Sequence, residues 1–486
     1  MTSRVLKFAA EKNLQLTGLT FNSTEVRPGY CFFALKGVHH DGNLFIKDAL
    51  QKGAALIVSA QKEAADLARG AAFFHSDNID SDMADAAYEF YGCPSDHFPV
   101  VGVTGTKGKT SISYLAEAVL ARAHKKVSVL GTVNYRINGR VITDAPNTTP
   151  LALPLFQLLH QMQQEKTDVL VMEVSSHSLE QQRVKHIHFD TAVFTNLQRD
   201  HLDFHHTFEN YFAAKKKLFE ELLSPQNHKP NKTAVVNIDD PYGQKLADML
   251  RSRVRVLTYG LENPAAEYRA TDIKESLHGT TFVLHGRRAQ INLLGAHNVY
   301  NALAAVCIGA AQGVDEATAL AALSDLPGVP GRMERIHEAK DFFVFVDFAY
   351  TDESLQRAYD TVKNFRAGRV ITVFGCGGDR DRTKRPLMGH TACAHSDLVF
   401  LTNDNPRTED PQQIFADIQA GMKGFTNYTV EPDRRKAIFA AIKAAHKNDI
   451  VIVAGKGHEQ TQKIGHEVFA FSDQETVREA LRGEHV

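Results

Sequence analysis

The chain has 486 residues, enough for about three domains of ordinary size. With 43% hydrophobic and 23% charged residues, it has the composition of a soluble globular protein with several cores. A formal net charge of −2 excludes a partner held by bulk electrostatics, such as duplex nucleic acid or an anionic membrane. Any bound anion must be caught by a local site.

The opening stretch MTSRVLKFAAEKNLQL carries charges every few residues and lacks the apolar run of a signal peptide. No apolar run approaches the ~18 residues that span a bilayer. Residues 1–95 read as a small α/β domain. YCFFAL (Tyr30–Leu35) and ALIVSA (Ala55–Ala60) are strand-like, FIKDALQKGA between them has helical spacing, and Pro94 and Pro99 then break the pattern. From Val100 strands and helices alternate: VVGVTG, a helix from Lys109, VSVLGT, a helix around LALPLFQLLHQM, DVLVMEV, TAVFTNL and TAVVNID. That alternation predicts a largely parallel sheet covered on both faces over residues 96–327. After SDLPGVPGR the pattern restarts with FFVFVDF, RVITVFG, DLVFLTN and DIVIVAG, a doubly wound domain over 328–486. The expected class is therefore α/β with three domains: small N-terminal, central P-loop-type and C-terminal Rossmann-like. The five cysteines (Cys31, Cys93, Cys307, Cys376, Cys393) never form a C-x-x-C pair. This argues against a disulfide framework or zinc site and for the reducing cytoplasm.

The strongest local signal is VVGVTGTKGKTS, an apolar strand, a Gly-rich turn and then Lys109-Thr110 opening a helix. Gly105 and Gly108 let successive N–H groups of Thr106 and Lys107 face phosphate oxygens. The helix start adds partial positive charge, Lys109 reaches the outer phosphates from a solvent-facing position, and Thr110 can bind magnesium. Its spacing, G-x-x-G-K-T, is shorter than that of common P-loop proteins. A guanine-reading N-K-x-D is missing, since TNLQRD (Thr195–Asp200) is a different pattern. Glu173 ends the apolar strand DVLVMEV, where a carboxylate beside a phosphate loop is a natural magnesium ligand; a solvated strand-end Glu is the plain alternative. His201, His205 and His206 precede an amphipathic helix whose Lys215–Lys217 run reads as a solvated face. In the C-terminal domain, FGCGGDR, TNDNPR and AGKGHE end three strands, where open α/β sheets bind ligands. Arg380 and Arg407 can each offer a planar fork to a carboxylate, and Glu459 can meet an ammonium, which suits a doubly zwitterionic amino acid.

GTKGKT, NTTP (Asn147–Pro150), MEVSSHSLEQQR, RDHLDFH, AAK, GAHNVYNALAA, PGRMERI, GCGGDRDRTKRPLM, DNPR and GKGHE occur in this order. Together they resemble the Mur ligase family from about Gly18 to about residue 475. The resemblance implies an ATP-dependent ligase adding meso-diaminopimelate to the D-Glu γ-carboxylate of UDP-MurNAc-L-Ala-D-Glu, for peptidoglycan synthesis. The substrates are small molecules, the cofactor is Mg2+, and the protein is a monomer. It assigns the nucleotide-sugar to the N-terminal domain, ATP to the central one and the amino acid to the C-terminal one. Lys109, Glu173, His201, Lys215 and Arg332 match catalytic positions. Magnesium falls to Thr110, Glu173, His201 and Lys215, the last as a carbamate. Asn298, Asn301, Arg332 and Asp347 match ATP contacts. Ser23, Thr148, Thr149, Ser175, Gln181 and Arg183 match nucleotide-sugar contacts. Arg380, Asp404, Asn405, Arg407, Gly455 and Glu459 match the amino-acid site, where DNPR accompanies diaminopimelate rather than lysine.

Three positions depart from the family pattern. Lys107 stands where Asn is normal, Tyr350 in DFAYTD replaces a His, and Asn22-Ser23-Thr24 replaces D-S-R. The competing readings are another Mur ligase, a folylpolyglutamate-synthetase-like ligase, or a non-catalytic ATP-binding relative.

Overall fold

A computed structural model describes residues 3–37 and 41–484. They form two compact units: Met1–Arg269 with Tyr300–Ala322, and Ala270–Val299 with Leu323–Val486.

The first unit holds two sheets. In the smaller, β1 (Gly18–Thr20), β2 (Tyr30–Phe33), β3 (Leu56–Ser59) and β4 (Ala72–His75) lie in chain order and are all parallel. Apolar runs such as YCFF and LIVS are what a strand covered on both faces requires. The helix Ile79–Phe90 packs beside this sheet, opened by Asn78, whose side chain accepts from Ser81 N.

The larger sheet has β5 (Val100–Thr104) near its middle. Its order is β12 (Arg255–Gly260), β11 (Thr233–Asn237), β10 (Thr191–Phe194), β5, β9 (Val169–Glu173), β6 (Val127–Leu130), β7 (Asn134–Ile137), β8 (Arg140–Asp144). From β12 to β6 all pairs are parallel. β7 and β8 add an antiparallel ribbon at the edge. All five residues of β5 and all five of β9 are buried, so Thr104 and Glu173 reach the carboxyl edge of the sheet from inside the core.

In the second unit β13 (Tyr268–Ser276), β14 (Gly279–Leu284) and β15 (Arg287–Ile291) form an antiparallel ribbon from Ala270 onward. The main sheet runs β16 (Glu334–Arg335), β17 (Phe343–Asp347), β21 (Ile450–Ala454), β18 (Val370–Phe374), β19 (Leu398–Leu401), β20 (Tyr428–Val430). Only β16 is antiparallel in it. Leu355, Tyr359, Met388, Ile414 and Ile418 from three helices pack on one face. Ala437, Ile438, Ala441 and Val477 from two others pack on the opposite face. The helices that follow β18 and β21 thus lie on opposite faces, the arrangement in which open α/β sheets bind ligands at the strands' carboxyl ends. A hairpin, β22 (Thr461–Ile464) with β23 (Glu467–Ala470), follows β21. Among the described residues no helix is long and apolar enough to cross a membrane, and the five cysteines are free.

Candidate functional site

The phosphate loop lies between β5 and the helix Lys109–Arg122. Gly105 and Gly108 have φ of +146° and +91°, and a Cβ on Gly105 would stand 1.8 Å from Thr195 Oγ1. No side chain fits there, so glycine is required on both grounds. The loop is clamped by the segment after β10. Thr106 N donates to Asn196 O (2.8 Å), Lys107 N to Asn196 Oδ1 (3.0 Å), and Thr195 Oγ1 to Lys107 O (2.7 Å). TNLQRD is therefore scaffolding for the loop. Lys107 ends in an ion pair with Asp200 at 2.9 Å, which neutralises the charge that distinguishes this loop from its family pattern.

Lys109 corrects one expectation. Its Nζ folds back to donate to Gly105 O (2.8 Å) and Thr106 O (3.1 Å), so it is half-buried over its own loop and not solvent-facing. An ammonium held over this loop could pair with a phosphate that the loop's N–H groups would hold.

Thr110 and Glu173 form the next layer. Thr110 Oγ1 donates to Glu173 Oε2 at 3.1 Å, and Glu173 is 1% exposed. Thr132, which the sequence did not single out, donates its N–H to Glu173 Oε1 and its hydroxyl to Oε2, both at 2.9 Å. Magnesium prefers a carboxylate or two plus phosphate oxygens and water, and this buried carboxylate–hydroxyl pair at a helix start fits that habit. Among the described residues no three His, Cys, Asp or Glu side chains gather closely enough to hold a metal alone.

A second group sits around Tyr211. Lys215, in the helix Phe208–Leu222, is 1% exposed, with its Nζ 4.3 Å from the Tyr211 ring centre. The reading of the triple lysine as a solvated face fails here: Lys215 faces the core, while Lys216 and Lys217 pair outward with Glu220 and Glu180. Burial pushes the Lys215 ammonium well below its ordinary range, Lys109 and then Lys107 push the same way, and Asp200 opposes. His201 starts the short helix Leu202–His205 at φ +52° and meets His177 edge-on at 4.9 Å. Its imidazolium is disfavoured by burial, with Asp200 opposing and Lys109 and Lys215 adding to the effect. Lys107, Lys109, Asp200, His201 and Lys215 thus share one electrostatic neighbourhood.

The expected nucleotide-sugar contacts Thr148, Thr149, Ser175, Gln181 and Arg183 gather next to Glu173. Thr148 Oγ1 meets Thr132 Oγ1 at 3.1 Å; Thr149 Oγ1 donates to Glu173 O (2.9 Å) and accepts from Ser175 N (3.1 Å). Arg183 donates Nη1 to Thr149 O (3.0 Å) and Nε to Gln181 Oε1 (2.9 Å). Ser23 stands apart from this group, in the N-terminal sheet's first turn, where its carbonyl accepts from Lys52 (3.0 Å). A cavity of about 550 Å3 adjoins that turn, lined by Thr20, Thr24, Arg27, Tyr30, Phe90 and Tyr91 among others. Asn301 touches the phosphate loop: a Cβ on Gly108 would lie 2.5 Å from its Oδ1.

In the second unit Asn298 donates Nδ2 to Leu294 O (2.8 Å). Asp347 ends β17 and accepts from Met333 N (2.6 Å). Burial raises its carboxyl to about 6, against the bond from Met333 and the nearby Arg332 charge. The Arg332 guanidinium lies 5.8 Å over the Phe348 ring, and exposed Tyr350 meets that ring edge-on at 4.9 Å, with Lys384 Nζ 5.0 Å from the Tyr350 ring centre.

The three strand-end loops do converge. Asp404, Asn405 and Arg407 follow β19, Arg380 follows β18, and Gly455 and Glu459 follow β21. Arg407 donates Nη1 to Gly378 O (2.8 Å), and Arg380, exposed, donates to its neighbour's carbonyl, Asp379 O (3.1 Å). Asn405 Nδ2 donates to Glu459 Oε2 at 2.8 Å. Gly455 N donates to Asp347 O at 3.0 Å. Glu459 does meet an ammonium, but it is that of Lys456, at 2.8 Å, a residue the sequence reading passed over.

Comparisons with known proteins match the chain in three stretches. A model described as Mur ligase family, catalytic domain, matches residues 15–90. The Mur ligase middle domain matches 103–309, and the Mur ligase, glutamate ligase domain, matches 331–457. The UDP-N-acetylmuramoyl-L-alanyl-D-glutamate--2,6-diaminopimelate ligase of Geobacter metallireducens is 42% identical over 489 residues, covering 96% of this chain and 94% of that protein. A solved structure of a ligase of the same name is similar at 33% identity and TM-score 0.67, over 96% of this chain and 95% of that one. Mycobacterium tuberculosis folylpolyglutamate synthase complexed with ADP and AMPPCP shares the fold at 17% identity and TM-score 0.58, over 77% of this chain and 92% of that one.

Proposed function

The chain belongs to the Mur ligase family, and from that premise we propose that it is an ATP-dependent ligase that adds meso-diaminopimelate to the D-Glu γ-carboxylate of UDP-MurNAc-L-Ala-D-Glu. The observation that carries the reading is the phosphate loop with Glu173 held against Thr110 at its helix start, in a chain whose full-length relatives bear that name. The reaction supplies peptidoglycan precursors in the cytoplasm. Residues 1–95 take the uridine nucleotide, 96–327 take ATP, and 328–486 take the amino acid. The folylpolyglutamate synthase likeness is one of fold alone, whereas the diaminopimelate ligases align from end to end.

A carboxylate resists attack by an amine because its carbon is electron-rich and oxide does not leave. Transfer of the ATP γ-phosphoryl group to the γ-carboxylate gives an acyl phosphate. The amine then adds to that carbonyl, and phosphate departs. Both steps gather negative charge, and preorganised cations stabilise it most where water is excluded. Lys109 supplies one such cation, with its ammonium already above the loop, and Arg332 supplies a second. Thr110 and Glu173 would hold magnesium, which would offset the charge gathered on the phosphate groups. Lys215 is suited to carbamylation because burial favours its neutral amine. The lone pair of the neutral amine nitrogen bonds to the carbon of CO2, one C=O bonding pair moves onto oxygen, one N–H proton leaves to solvent, and a carbamate anion replaces the neutral amine. His201 would help hold magnesium on that side. The Arg407 fork takes the distal carboxylate of diaminopimelate, which lysine lacks.

The test is phosphate release from ATP with substrates omitted one at a time and with a panel of amino acids. Release only when ATP, the UDP-dipeptide and meso-diaminopimelate are all present supports the reading; release without the amino acid or with any amino acid refutes it.

A further inference from the structure

The loop after β21 carries a lysine that the family resemblance does not assign. Lys456 is fully buried, yet its ammonium is not spent on a structural carboxylate in the core. Its Nζ donates to Asn405 Oδ1 at 3.1 Å and to Glu459 Oε2 at 2.8 Å. Asn405 closes the triangle through Nδ2 to the same Glu459 oxygen at 2.8 Å. Asn405 is fixed in turn by Lys463 N, which donates to its Oδ1 at 3.0 Å, and by its own N–H on Asp404 Oδ1 at 2.7 Å. Both bonds to Glu459 end on Oε2, and among the described residues none ends on Oε1. That leaves one carboxylate oxygen of a positioned, half-buried Glu for a ligand.

We propose that Lys456 is a positioning residue for the amino-acid substrate. Its buried ammonium holds Glu459 ionised and oriented, so that Oε1 accepts the substrate's ammonium, and it ties Asn405 and the DNPR loop into the same site. The inference rests on the amino-acid site proposed above and adds the residue through which Glu459 acts.

The charge balance of the site supports this. Burial alone would raise the Glu459 carboxyl; Lys456, by charge and hydrogen bond, and then Asn405 bring it below its ordinary value. Burial likewise raises Asp404, against Lys456 and Arg434. Among the described residues, the charged and titratable groups around this pocket are Asp379 and Arg380 after β18, Asp404 and Arg407 after β19, Lys456, His458 and Glu459 after β21, and Arg434 with Asp473 behind them. Arg434 is committed to Asp473 through bonds of 2.8 and 2.7 Å. Lys456 is thus the cation in direct contact with Glu459. Without it, two carboxylates share a pocket in which neither ionises readily. A lysine here also screens substrates: an amine enters beside an existing ammonium only when a free carboxylate oxygen and a distal carboxylate anchor are both available.

The experiment is steady-state kinetics of the full-length enzyme with Lys456→Met and Lys456→Arg, varying each substrate in turn and repeating the amino-acid series across pH. Lys456→Met should raise the KM for meso-diaminopimelate by ~30-fold or more, since it strips a buried charge from its partner, while kcat and the KM values for ATP and UDP-dipeptide stay within ~3-fold. The acid limb of kcat/KM for the amino acid should move to higher pH by about one unit, because Glu459 must be ionised to act and loses the cation that keeps it so. Lys456→Arg keeps the charge, so its acid limb should stay in place while its amino-acid KM rises less. An unchanged amino-acid KM in Lys456→Met, or equal losses for all three substrates, overturns the proposal. Should Lys456→Met fail to fold, Lys456→Arg decides alone: an acid limb displaced as the amino-acid KM rises, or an amino-acid KM equal to wild type, overturns it. Should wild type turn over a different amino acid, the function proposed above falls, and the same comparison is made on the KM of the amino acid it uses.

Discussion

Replacing Lys215 with Met separates catalysis from stability in a way few substitutions do. The side chain is 1% exposed, rests on the Tyr211 ring at 4.3 Å, and makes no ion pair among the described residues. Methionine has nearly the same length and removes the amine. Buried unpaired charge is costly, so an apolar side chain of similar volume should leave the fold as stable as wild type or more so by ~1–3 kcal/mol. The sign with pH follows from the amine's shift below 10.5. Between its folded value and 10.5 the unfolded chain binds the extra proton, so wild-type stability falls as pH falls through that window. The advantage of Lys215→Met should therefore grow as pH drops below 10.5, at up to ~1.4 kcal/mol per pH unit, until the folded amine protonates. Ligation should meanwhile fall by ~10²-fold or more, because the anion expected beside magnesium is lost. Urea denaturation of both proteins in CO2-free buffer across pH, with phosphate release measured in parallel in bicarbonate-containing buffer, reads both effects. A variant clearly less stable than wild type, or one that ligates normally, refutes the reasoning.

Three further outcomes are expected. Lys109→Ala should lower kcat by ~10²-fold or more with little change in the urea midpoint, since it is half-buried and its Nζ donates to carbonyls of its own loop, Gly105 and Thr106; near-normal turnover of the folded variant contradicts the phosphate-loop role. Lys107→Asn should change kcat and the ATP KM by less than ~3-fold, because the Lys107–Asp200 pair is partly exposed and such pairs contribute ~1 kcal/mol at most. Arg407→Ala should cut kcat/KM for meso-diaminopimelate by ~10²-fold or more while the ATP KM holds, since it removes the fork expected for the distal carboxylate; an unchanged value sinks that assignment.

The strands were legible because parallel strands buried on both faces must be continuous apolar runs: VVGVT, VLVME and IVIVA each fill one strand with every residue buried. The phosphate loop was legible because its glycines answer a backbone demand that no other residue meets. Edge and ribbon elements were not. β22 and β23 carry QKI-G-HEVFA with β23 wholly exposed, so no inward-facing alternation marks them. The burial of Lys215 was equally hidden, because a lysine in a charged run looks the same whether its helix turns it inward or outward. Thr132 and Lys456 were missed for a related reason. Their roles come from carboxylates 41 and 3 residues away, Glu173 and Glu459, and only the fold supplies the first of these contacts and the burial that gives the second its force.

The central claim concerns which amine the enzyme accepts, and one comparison tests it: kcat/KM of the wild-type enzyme for meso-diaminopimelate against that for lysine, at saturating ATP and UDP-MurNAc-L-Ala-D-Glu. The two differ by one carboxylate, and a polar site left unmatched discriminates strongly, so diaminopimelate should be preferred by ~10³-fold or more. Comparable efficiency for the two amino acids, or a preference for lysine, would contradict the account.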